Sequence, residues 1–295
     1  MSAAPREVEA GGLYWRVFGH EAGDGEGVES TAVEGNGDPR RSRHGANPLV
    51  VLHGLFGAGD NWRGHAEALR KDRLVLVPDL PNHGRSRHTE DMDFRTVARY
   101  LWDALSAVSD QLGITASEYA ILGHSMGGKV AMAMAFQEPS RTERIISADI
   151  APREYPPSHE EIFEAMDAVT KANIQRRSDA DRVMAKRIPT KAIRMFLLKS
   201  LVRDDGVGGY RWQLNVEALR RSYGEIRGWP FHEERYAGPV LFIAGGNSPY
   251  IQPEDTDTIG VHFPDHRLQT IPEVGHWLHV ENRETFLALV TAFLS

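Results

Sequence analysis

The sequence predicts an α/β protein in which a mostly parallel, doubly wound sheet carries an inserted helical cap. Short apolar segments, typical of parallel strands buried on both faces, alternate with helical segments. This alternation stops between residues 153 and 229, where the pattern is helical and without strands, and it resumes at residue 240. We therefore expect a core made of residues 1–152 and 230–295 and a cap made of residues 153–229.

Composition excludes several classes of function. The chain has 295 residues, a net charge of −7 and no cysteine. The mild acidity argues against nucleic acid as the main partner, and the lack of cysteine excludes disulfides and cysteine nucleophiles. No apolar run reaches the roughly 20 residues of a membrane-spanning helix, and the first residues lack the apolar stretch of a secretory signal. We expect a soluble cytoplasmic protein; a mitochondrial or plastid location stays open if a transit peptide is missing from this chain.

The first strands surround one unusual segment. Residues 13–18 alternate weakly and predict an edge strand, whereas residues 48–52 and 74–79 are apolar runs that predict buried parallel strands. Residues 21–47 are rich in Gly, Glu, Ser and Arg and contain almost no large apolar side chain. They bury too little surface to offset the entropy of ordering, so we interpret them as a flexible insertion.

The later elements follow from the same periodicities. Further strands are predicted at residues 119–122, 145–150, 240–245 and 267–271. Helices are predicted near residues 66–71, 94–112, 129–136, 160–172, 179–187, 191–201, 216–227 and 283–294.

Residues 123–127, Gly-His-Ser-Met-Gly, contain the predicted nucleophile. They follow a buried strand and precede a helix of small residues, which is the context of a nucleophile elbow. The sharp turn presents the hydroxyl of Ser125 to a cleft, and the two glycines let strand and helix approach closely. The N–H groups at the helix N-terminus favour developing negative charge.

Two backbone N–H groups are expected to form an oxyanion hole. In this arrangement, one comes from the loop after the strand at residues 48–52 and the other from the residue after the nucleophile. We assign them to Leu55 and Met126. His53 lies in the same loop, and we interpret it as a structural histidine rather than a base.

A serine hydroxyl needs a base, because it is almost wholly protonated at neutral pH. His276 lies on the loop after the last predicted strand, where the base is expected. His279 is the alternative, three residues later. His262 and His266 precede that strand and are weaker candidates.

The acid that orients the histidine is missing from its usual position. The segment after the strand at residues 240–244 reads Gly-Gly-Asn-Ser-Pro-Tyr and has no carboxylate. Without an acid, the imidazole loses control of its tautomer and stabilisation of its charged form. Asp149 ends the strand after the elbow helix and faces the same edge of the sheet, so we choose it, and Ser248 can add a hydrogen bond to the His–Asp pair. The alternatives are Glu254, Asp255 and Glu217.

Apolar side chains of the cap offer an acyl-binding surface, although packing within the cap explains each of them as well. These side chains are Phe163, Met166, Met195, Phe196, Leu197 and Trp212. Contacts with the substrate are expected from Phe56, His124, Trp212 and Trp277.

Several segments resemble one branch of the α/β-hydrolases, the YbfF-like bacterial esterases and their mitochondrial abhydrolase-domain relatives. These segments are residues 79–86, 123–132, 149–152, 245–248 and 275–279. The resemblance covers residue 48 to the C-terminus and leaves residues 21–47 unmatched. In that branch the acid follows the strand after the elbow, and a serine fills the usual acid position. The resemblance therefore implies a Ser125–His276–Asp149 triad assisted by Ser248, and action on short acyl esters and acyl-CoA-like thioesters.

The sequence thus predicts a serine hydrolase that cleaves small-molecule esters or thioesters through an acyl-enzyme, with no metal or organic cofactor. A serine at the elbow argues against dehalogenase and epoxide-hydrolase chemistry, which uses a carboxylate nucleophile. Two alternatives remain: a binding module with little turnover, because the acid lies outside its usual place, and carbon–carbon bond hydrolysis or perhydrolysis on the same triad. The sequence specifies neither the acyl length nor the oligomeric state.

Overall fold

The structure, a computed structural model, describes residues 4–19, 46–172, 174–204, 206 and 208–295. The predicted insertion at residues 21–47 therefore lies outside the described residues except for its last two. Nowhere in the described ranges is there a helix long and apolar enough to cross a membrane.

The central sheet has eight strands within the described residues. In chain order they are β1 (Arg6–Ala10), β2 (Leu13–Phe18), β3 (Leu49–Leu52), β4 (Val75–Pro78), β5 (Tyr119–His124), β6 (Thr142–Ala148), β9 (Val240–Gly245) and β10 (His266–Ile271). Their spatial order is β1-β2-β4-β3-β5-β6-β9-β10. β1 and β2 pair antiparallel with each other, and β2 with β4, while the other neighbours are parallel. The prediction of a mostly parallel sheet is confirmed.

One strand was assigned to the wrong place in the sheet. Residues 13–18 do form β2, but β2 is not the edge strand, because Trp15 pairs with Val8 of β1 on one side and with Pro78 of β4 on the other. β1 gives a weak sequence signal, since only Val8 and Ala10 are buried among its five residues.

Helices cover both faces of the sheet. In chain order they are α1 (Arg63–Leu69), α2 (Phe94–Leu112), α3 (Met126–Gln137), α4 (Glu160–Lys171), α5 (Arg177–Met184), α6 (Lys191–Leu198), α7 (Val216–Arg221), α8 (Tyr223–Arg227), α9 (Asp255–His262), α10 (Leu278–Glu281) and α11 (Arg283–Leu294). Short 3-10 helices span Gly59–Trp62 and Pro139–Arg141.

Alternate residues of the strands feed two apolar clusters. Val50 and Ile121 pack in one cluster with α2 and α3, whereas Leu49 and Ala120 pack in the other with α1 and α11. This alternation is the sheet geometry expected when both faces are covered. The two clusters make the sheet doubly wound, as the sequence predicts.

Helix α2 begins and ends at the predicted residues because both ends carry strong local signals. The carboxylate of Asp93 accepts hydrogen bonds from the N–H groups of Arg95 and Thr96, and Gly113 follows the helix in the left-handed conformation.

Residues 153–229 differ from the prediction in one respect. They contain helices α4 to α8, but they also contain a small antiparallel sheet of β7 (Leu201–Arg203) and β8 (Tyr210–Trp212). Strands of three residues are too short to show alternation, so the sequence predicted none. The helix predicted at residues 216–227 is divided into α7 and α8 at Ser222. The division into core and cap stays a prediction.

Candidate active site

Ser125 lies in a strained turn between β5 and α3. Its φ of 53° and ψ of −122° are rarely adopted by a residue other than glycine. The turn is tight on both sides: a Cβ at Gly123 would lie 2.1 Å from the carbonyl oxygen of Gly127, and one at Gly127 would lie 2.4 Å from that of Leu52. The N–H of Ser125 is held by the carbonyl of Ala148 at 3.0 Å. The local geometry is that of the elbow expected from the sequence.

Asp149 and His276 form a direct contact across 127 positions of the chain. Oδ2 of Asp149 lies 2.7 Å from Nδ1 of His276. The carboxylate is fully buried, and it also accepts the N–H of Gly245 at 2.9 Å and the hydroxyl of Ser248. Three donors thus satisfy a buried anion that would otherwise be costly. With the Nδ1 proton directed at Asp149, Nε2 of His276 is the nitrogen left to accept a proton.

Ser125 and His276 line a common cavity of about 470 Å³. No carboxylate of the described residues lines it, and of the carboxylates considered in the sequence only Asp149, buried behind His276, contacts the imidazole. Asp255 pairs with Nε of Arg153 at 2.6 Å, and Glu254 and Glu217 are exposed. The structure therefore brings together the serine, the histidine and the acid chosen from the sequence.

The other candidate histidines are engaged elsewhere. His279 also lines the cavity, but its ring stacks on Trp62 with centroids 4.6 Å apart, and burial holds its pKa well below the usual value. Nδ1 of His262 contacts the carbonyl of Glu234 at 2.7 Å, and Nδ1 of His266 contacts that of Phe263 at 2.8 Å.

The loop after β3 supplies a free amide next to Ser125. Within this loop, the N–H groups of Phe56, Gly57 and Ala58 donate to His83 Nε2, Gly54 O and Asn61 Oδ1. No described residue accepts from the N–H of Leu55 or of Met126, and both residues line the cavity. These are the two amides assigned to the oxyanion hole from the sequence.

Two buried histidines join this loop to residues 79–86. Nε2 of His53 accepts the N–H of Leu80 at 2.9 Å, and Nε2 of His83 accepts the N–H of Phe56 at 3.1 Å. Burial lowers the pKa of His53 to about 4 and that of His83 to about 3, so both rings are neutral and can accept. His53 is structural, as the sequence indicates. The hydrogen bond between Phe56 and His83 joins two loops that are distant in the sequence, so no local sequence pattern predicted it.

His276 is held on two further sides. The N–H at Nε2 of His124 donates to the carbonyl of His276 at 2.8 Å, and burial lowers the pKa of His124 to about 3. The ring of Tyr250 stacks on the imidazole with centroids 3.9 Å apart and planes 18° apart. The sequence analysis named His124 only as a substrate contact and did not single out Tyr250.

The predicted substrate contacts are only partly at the cavity. Phe56, His124 and Trp277 line it, but Trp212 does not. Trp212 belongs to β8, and its indole N–H donates to the carbonyl of Met166 at 3.2 Å inside the apolar cluster. Of the other apolar cap residues, Phe196 and Leu197 line the cavity, whereas Phe163, Met166 and Met195 do not. Among the apolar or aromatic lining residues that sequence reasoning missed are Tyr155, Ile162, Ile193, Tyr223 and Ile226.

The charged side chains that line the cavity are Lys129 and Arg227. The buried ammonium of Lys129 donates to the carbonyls of Arg227 at 2.9 Å and Gly228 at 2.7 Å. Burial, with smaller contributions from Arg153 and Arg227, lowers the pKa of Lys129 to about 7. In the described part of the chain, no group of three or more His, Asp or Glu side chains has the arrangement of a metal site.

Comparisons with known proteins agree with this fold. A model of the alpha/beta hydrolase fold matches residues 47–283. The sn-1-specific diacylglycerol lipase of Mus musculus is 39% identical over 256 residues, which cover 84% of this chain and 80% of that protein. Esterase YbfF of Escherichia coli (strain K12) is 35% identical over 256 residues, covering 86% of this chain and 96% of that protein. Among solved structures, a marine microorganism esterase matches with a TM-score of 0.79 and 34% identity, over 84% of this chain and 95% of that one.

Proposed function

The chain belongs to the α/β-hydrolase family, and on that premise we propose that it cleaves carboxylic esters through Ser125, His276 and Asp149. Its relatives support hydrolase chemistry of the esterase type. The observation that carries the residue assignment is the contact of 2.7 Å between Asp149 and Nδ1 of His276, together with a strained Ser125 that lines the same cavity as His276.

In the proposed acylation step, Nε2 of His276 takes the proton of the Ser125 hydroxyl while Oγ attacks the carbonyl carbon of the substrate. The π electrons of that carbonyl move to its oxygen, and the N–H groups of Leu55 and Met126 stabilise the resulting oxyanion. Collapse of the tetrahedral intermediate breaks the bond to the leaving group, which takes the proton from His276. An alcohol or a thiol departs, and an acyl-enzyme remains.

Deacylation repeats the sequence with water. His276 takes a proton from water, the hydroxide attacks the acyl carbon, and Ser125 leaves with the proton that His276 returns. The carboxylate of Asp149 accepts the hydrogen bond from Nδ1–H of His276 throughout and stabilises the imidazolium in each half-reaction. Ser248 and the amide of Gly245 hold the carboxylate in the orientation that this requires.

The lining of the cavity supports a short to medium acyl group. Its walls are mostly apolar, and apolar contacts favour an acyl chain over a polar one. We propose small esters or thioesters as substrates. The name of the mouse relative specifies a diacylglycerol, so a glycerol ester belongs in the substrate panel for this chain.

A panel of p-nitrophenyl esters of increasing acyl length tests the proposal. Wild type should turn over the shorter members, and Ser125→Ala should lose at least about 10³-fold in kcat. A butyryl ester and a butyryl thioester, compared under identical conditions, then separate the two substrate classes. Labelling with a fluorophosphonate, with Ser125→Ala as the control, reports the nucleophile without a substrate.

Three outcomes contradict parts of the proposal. Equal activity in wild type and Ser125→Ala would exclude Ser125 as the nucleophile. Labelling of Ser125 without turnover of any ester would point to carbon–carbon bond cleavage, perhydrolysis or a substrate outside the panel. An inert wild type that resists labelling would favour a binding module on this fold.

A further inference from the structure

Tyr250 is the aromatic residue closest to the proposed base, and the mechanism above gives it no part. Its ring lies almost parallel to the imidazole of His276, with centroids 3.9 Å apart and an angle of 18° between the planes. By contrast, the ring of His124 lies 4.7 Å away and is tilted by 39°. One face of the imidazole is therefore covered by the π system of a tyrosine.

The position of this ring is fixed by the same loop that holds the acid. The N–H of Tyr250 lies 3.3 Å from Oγ of Ser248, whose hydroxyl donates to Asp149. The carbonyl of Tyr250 accepts the hydroxyl of Tyr155 at 2.6 Å, and the two tyrosine rings contact each other with centroids 5.2 Å apart. The segment that orients the carboxylate thus also sets the plane of the stacked ring.

We propose that Tyr250 is a positioning residue that holds the imidazole plane of His276 and stabilises the imidazolium formed when Ser125 loses its proton. The face of an aromatic ring is electronegative, and a cation over it is attracted by the ring quadrupole. A neutral imidazole gains much less. The stacking therefore favours the state that develops in both transition states, which is the kind of interaction that raises kcat. This inference rests on the proposed serine hydrolase mechanism.

The hydroxyl of Tyr250 is not the source of the effect. Burial raises the pKa of Tyr250 above the ordinary value, so the phenol stays neutral at assay pH. Tyr250→Phe keeps the ring and removes only the hydroxyl. Tyr250→Leu keeps an apolar side chain over the imidazole and removes the π face. The difference between these two variants isolates the ring.

The first experiment measures kcat/KM and kcat against pH for wild type and both variants with one p-nitrophenyl ester. Tyr250→Phe should stay within about threefold of wild type. Tyr250→Leu should lose about 5- to 30-fold in kcat, and the acid limb of its kcat/KM profile should move to lower pH by half a pH unit or more, because its imidazolium is less stabilised.

The other ionisable groups around His276 do not produce this difference. Asp149 bonds to Nδ1, and the hydroxyl of Ser125, which lines the same cavity as His276, stays protonated across the assay range. Burial lowers the pKa of His124 to about 3 and that of His159 to about 4, and the pKa of His279 also lies well below its usual value, so these rings are neutral across the assay range. The cations that line the cavity are Lys129 and Arg227. Lys129, with its pKa lowered to about 7, titrates within the range, but it does so in every variant.

Tyr223 provides a matched control. It also lines the cavity, but its hydroxyl contacts Nδ1 of His159 at 2.6 Å and its ring packs on Phe163 rather than on His276. Tyr223→Leu can change KM, but its acid limb should coincide with that of wild type. Equal movement of the limb in Tyr223→Leu and Tyr250→Leu would overturn the proposal.

A second variant keeps the test valid if Tyr250→Leu does not fold. Replacement of Tyr250 by pentafluorophenylalanine retains a stacked ring of similar size but removes the electronegative face. It should move the acid limb in the same direction as Tyr250→Leu, while its melting temperature stays close to that of Tyr250→Phe. If this variant has the same acid limb of the kcat/KM profile and the same kcat as wild type, Tyr250 only lines the cavity. If wild type hydrolyses no ester, the proposed function is refuted rather than the role of Tyr250, and this result is obtained before any variant is compared.

Discussion

The two walls of the cavity differ in what holds them in place. The core wall is fixed by hydrogen bonds between distant segments; its residues are Leu55, Phe56, Ser125, Met126 and His276. The apolar and aromatic part of the lining from residues 153–229, called the cap wall here, is held mainly by side-chain packing; its residues are Ile162, Ile193, Phe196, Leu197, Tyr223 and Ile226. Directional bonds fix atoms to within tenths of an ångström, whereas apolar packing fixes shape. Chemistry should therefore depend on the core wall and acyl selectivity on the cap wall.

The largest expected effect comes from Asp149→Asn. The variant keeps the shape of the side chain but loses the anion that holds the Nδ1 proton of His276, so kcat should fall by about 10³- to 10⁴-fold. Ester hydrolysis under saturating substrate measures this. Circular dichroism controls for folding, since a buried charge with three donors is being changed. Activity within tenfold of wild type would show that the acid lies elsewhere. Asp255, Glu254 and Glu217 would then be substituted as the alternative acids.

His83→Phe should have the second largest effect. It removes the acceptor for the N–H of Phe56 and so loosens the loop that carries the amide of Leu55. Losing one oxyanion donor costs about 10²- to 10³-fold in other hydrolases, and an indirect loosening should cost about 10- to 100-fold in kcat with a smaller change in KM.

His88→Ala provides the control for that variant. His88 is exposed and lies two residues beyond the segment 79–86 that contains His83, and its Nε2 lies 3.4 Å from the carbonyl of Gln213. It should behave like wild type. A change in KM alone for His83→Phe would mean that the histidine pair supports only the shape of the cavity.

Ser248→Ala tests whether Asp149 stays oriented when one of its three hydrogen bonds is lost. Asp149 would keep the bonds from His276 and Gly245 and lose the one from the serine hydroxyl. A hydrogen bond to a charged acceptor is worth about 1.5–3 kcal/mol, but only the part that differs between the ground state and the transition state affects kcat, which should therefore fall by about 3- to 30-fold. A loss as large as that of Asp149→Asn would instead make Ser248 an essential member of the site.

Substitutions in the cap wall should change selectivity rather than rate. Phe196→Ala enlarges the cavity beside Trp277, whose ring centroid lies 5.7 Å from that of Phe196. The preferred acyl length should move to longer chains, with kcat on the best substrate within about fivefold of wild type. Met195→Ala is the control, because Met195 is exposed and does not line the cavity. A collapse of kcat for every chain length would contradict the division between the two walls.

The smallest effect on activity is expected for Trp212→Phe. Trp212 is buried away from the cavity, and the variant loses the hydrogen bond from its indole N–H to the carbonyl of Met166. The free energy of unfolding should fall by about 0.5–1.5 kcal/mol, because one buried hydrogen bond is lost while the hydroxyl of Thr170 still donates to the same carbonyl. Chemical denaturation measures this loss, and ester hydrolysis below the transition should be unchanged. A change in acyl selectivity would instead indicate that Trp212 contacts the substrate.

The sequence predicted best what local pattern determines. The strand, elbow and helix around Ser125 and the whole of α2 carry apolar periodicity, glycines or caps within a few residues of one another. The sequence indicated Asp149 because the segment after β9 has no carboxylate and Asp149 directly follows the neighbouring strand β6.

What the sequence missed depends on contacts between distant residues or on very short elements. Tyr250 and His276 are neighbours only once β9 and the loop after β10 lie side by side, and His83 meets Phe56 only across two loops. Neither contact has a signature within one segment. β1, β7 and β8 have three to five residues each, too few for a periodicity to emerge.

Lys129 has a consequence for how a substrate can enter. Its ammonium, one turn after Ser125 on α3, is bonded to the carbonyls of Arg227 and Gly228, and Asn215 is bonded to Asn82 through both its backbone and its side chain. Lifting this end of residues 153–229 would remove both carbonyl acceptors from the buried amine of Lys129 and break the two bonds between Asn215 and Asn82. The segment from α7 to Gly228 is therefore an anchor rather than a hinge. We therefore expect a substrate to reach the cavity without displacement of this segment.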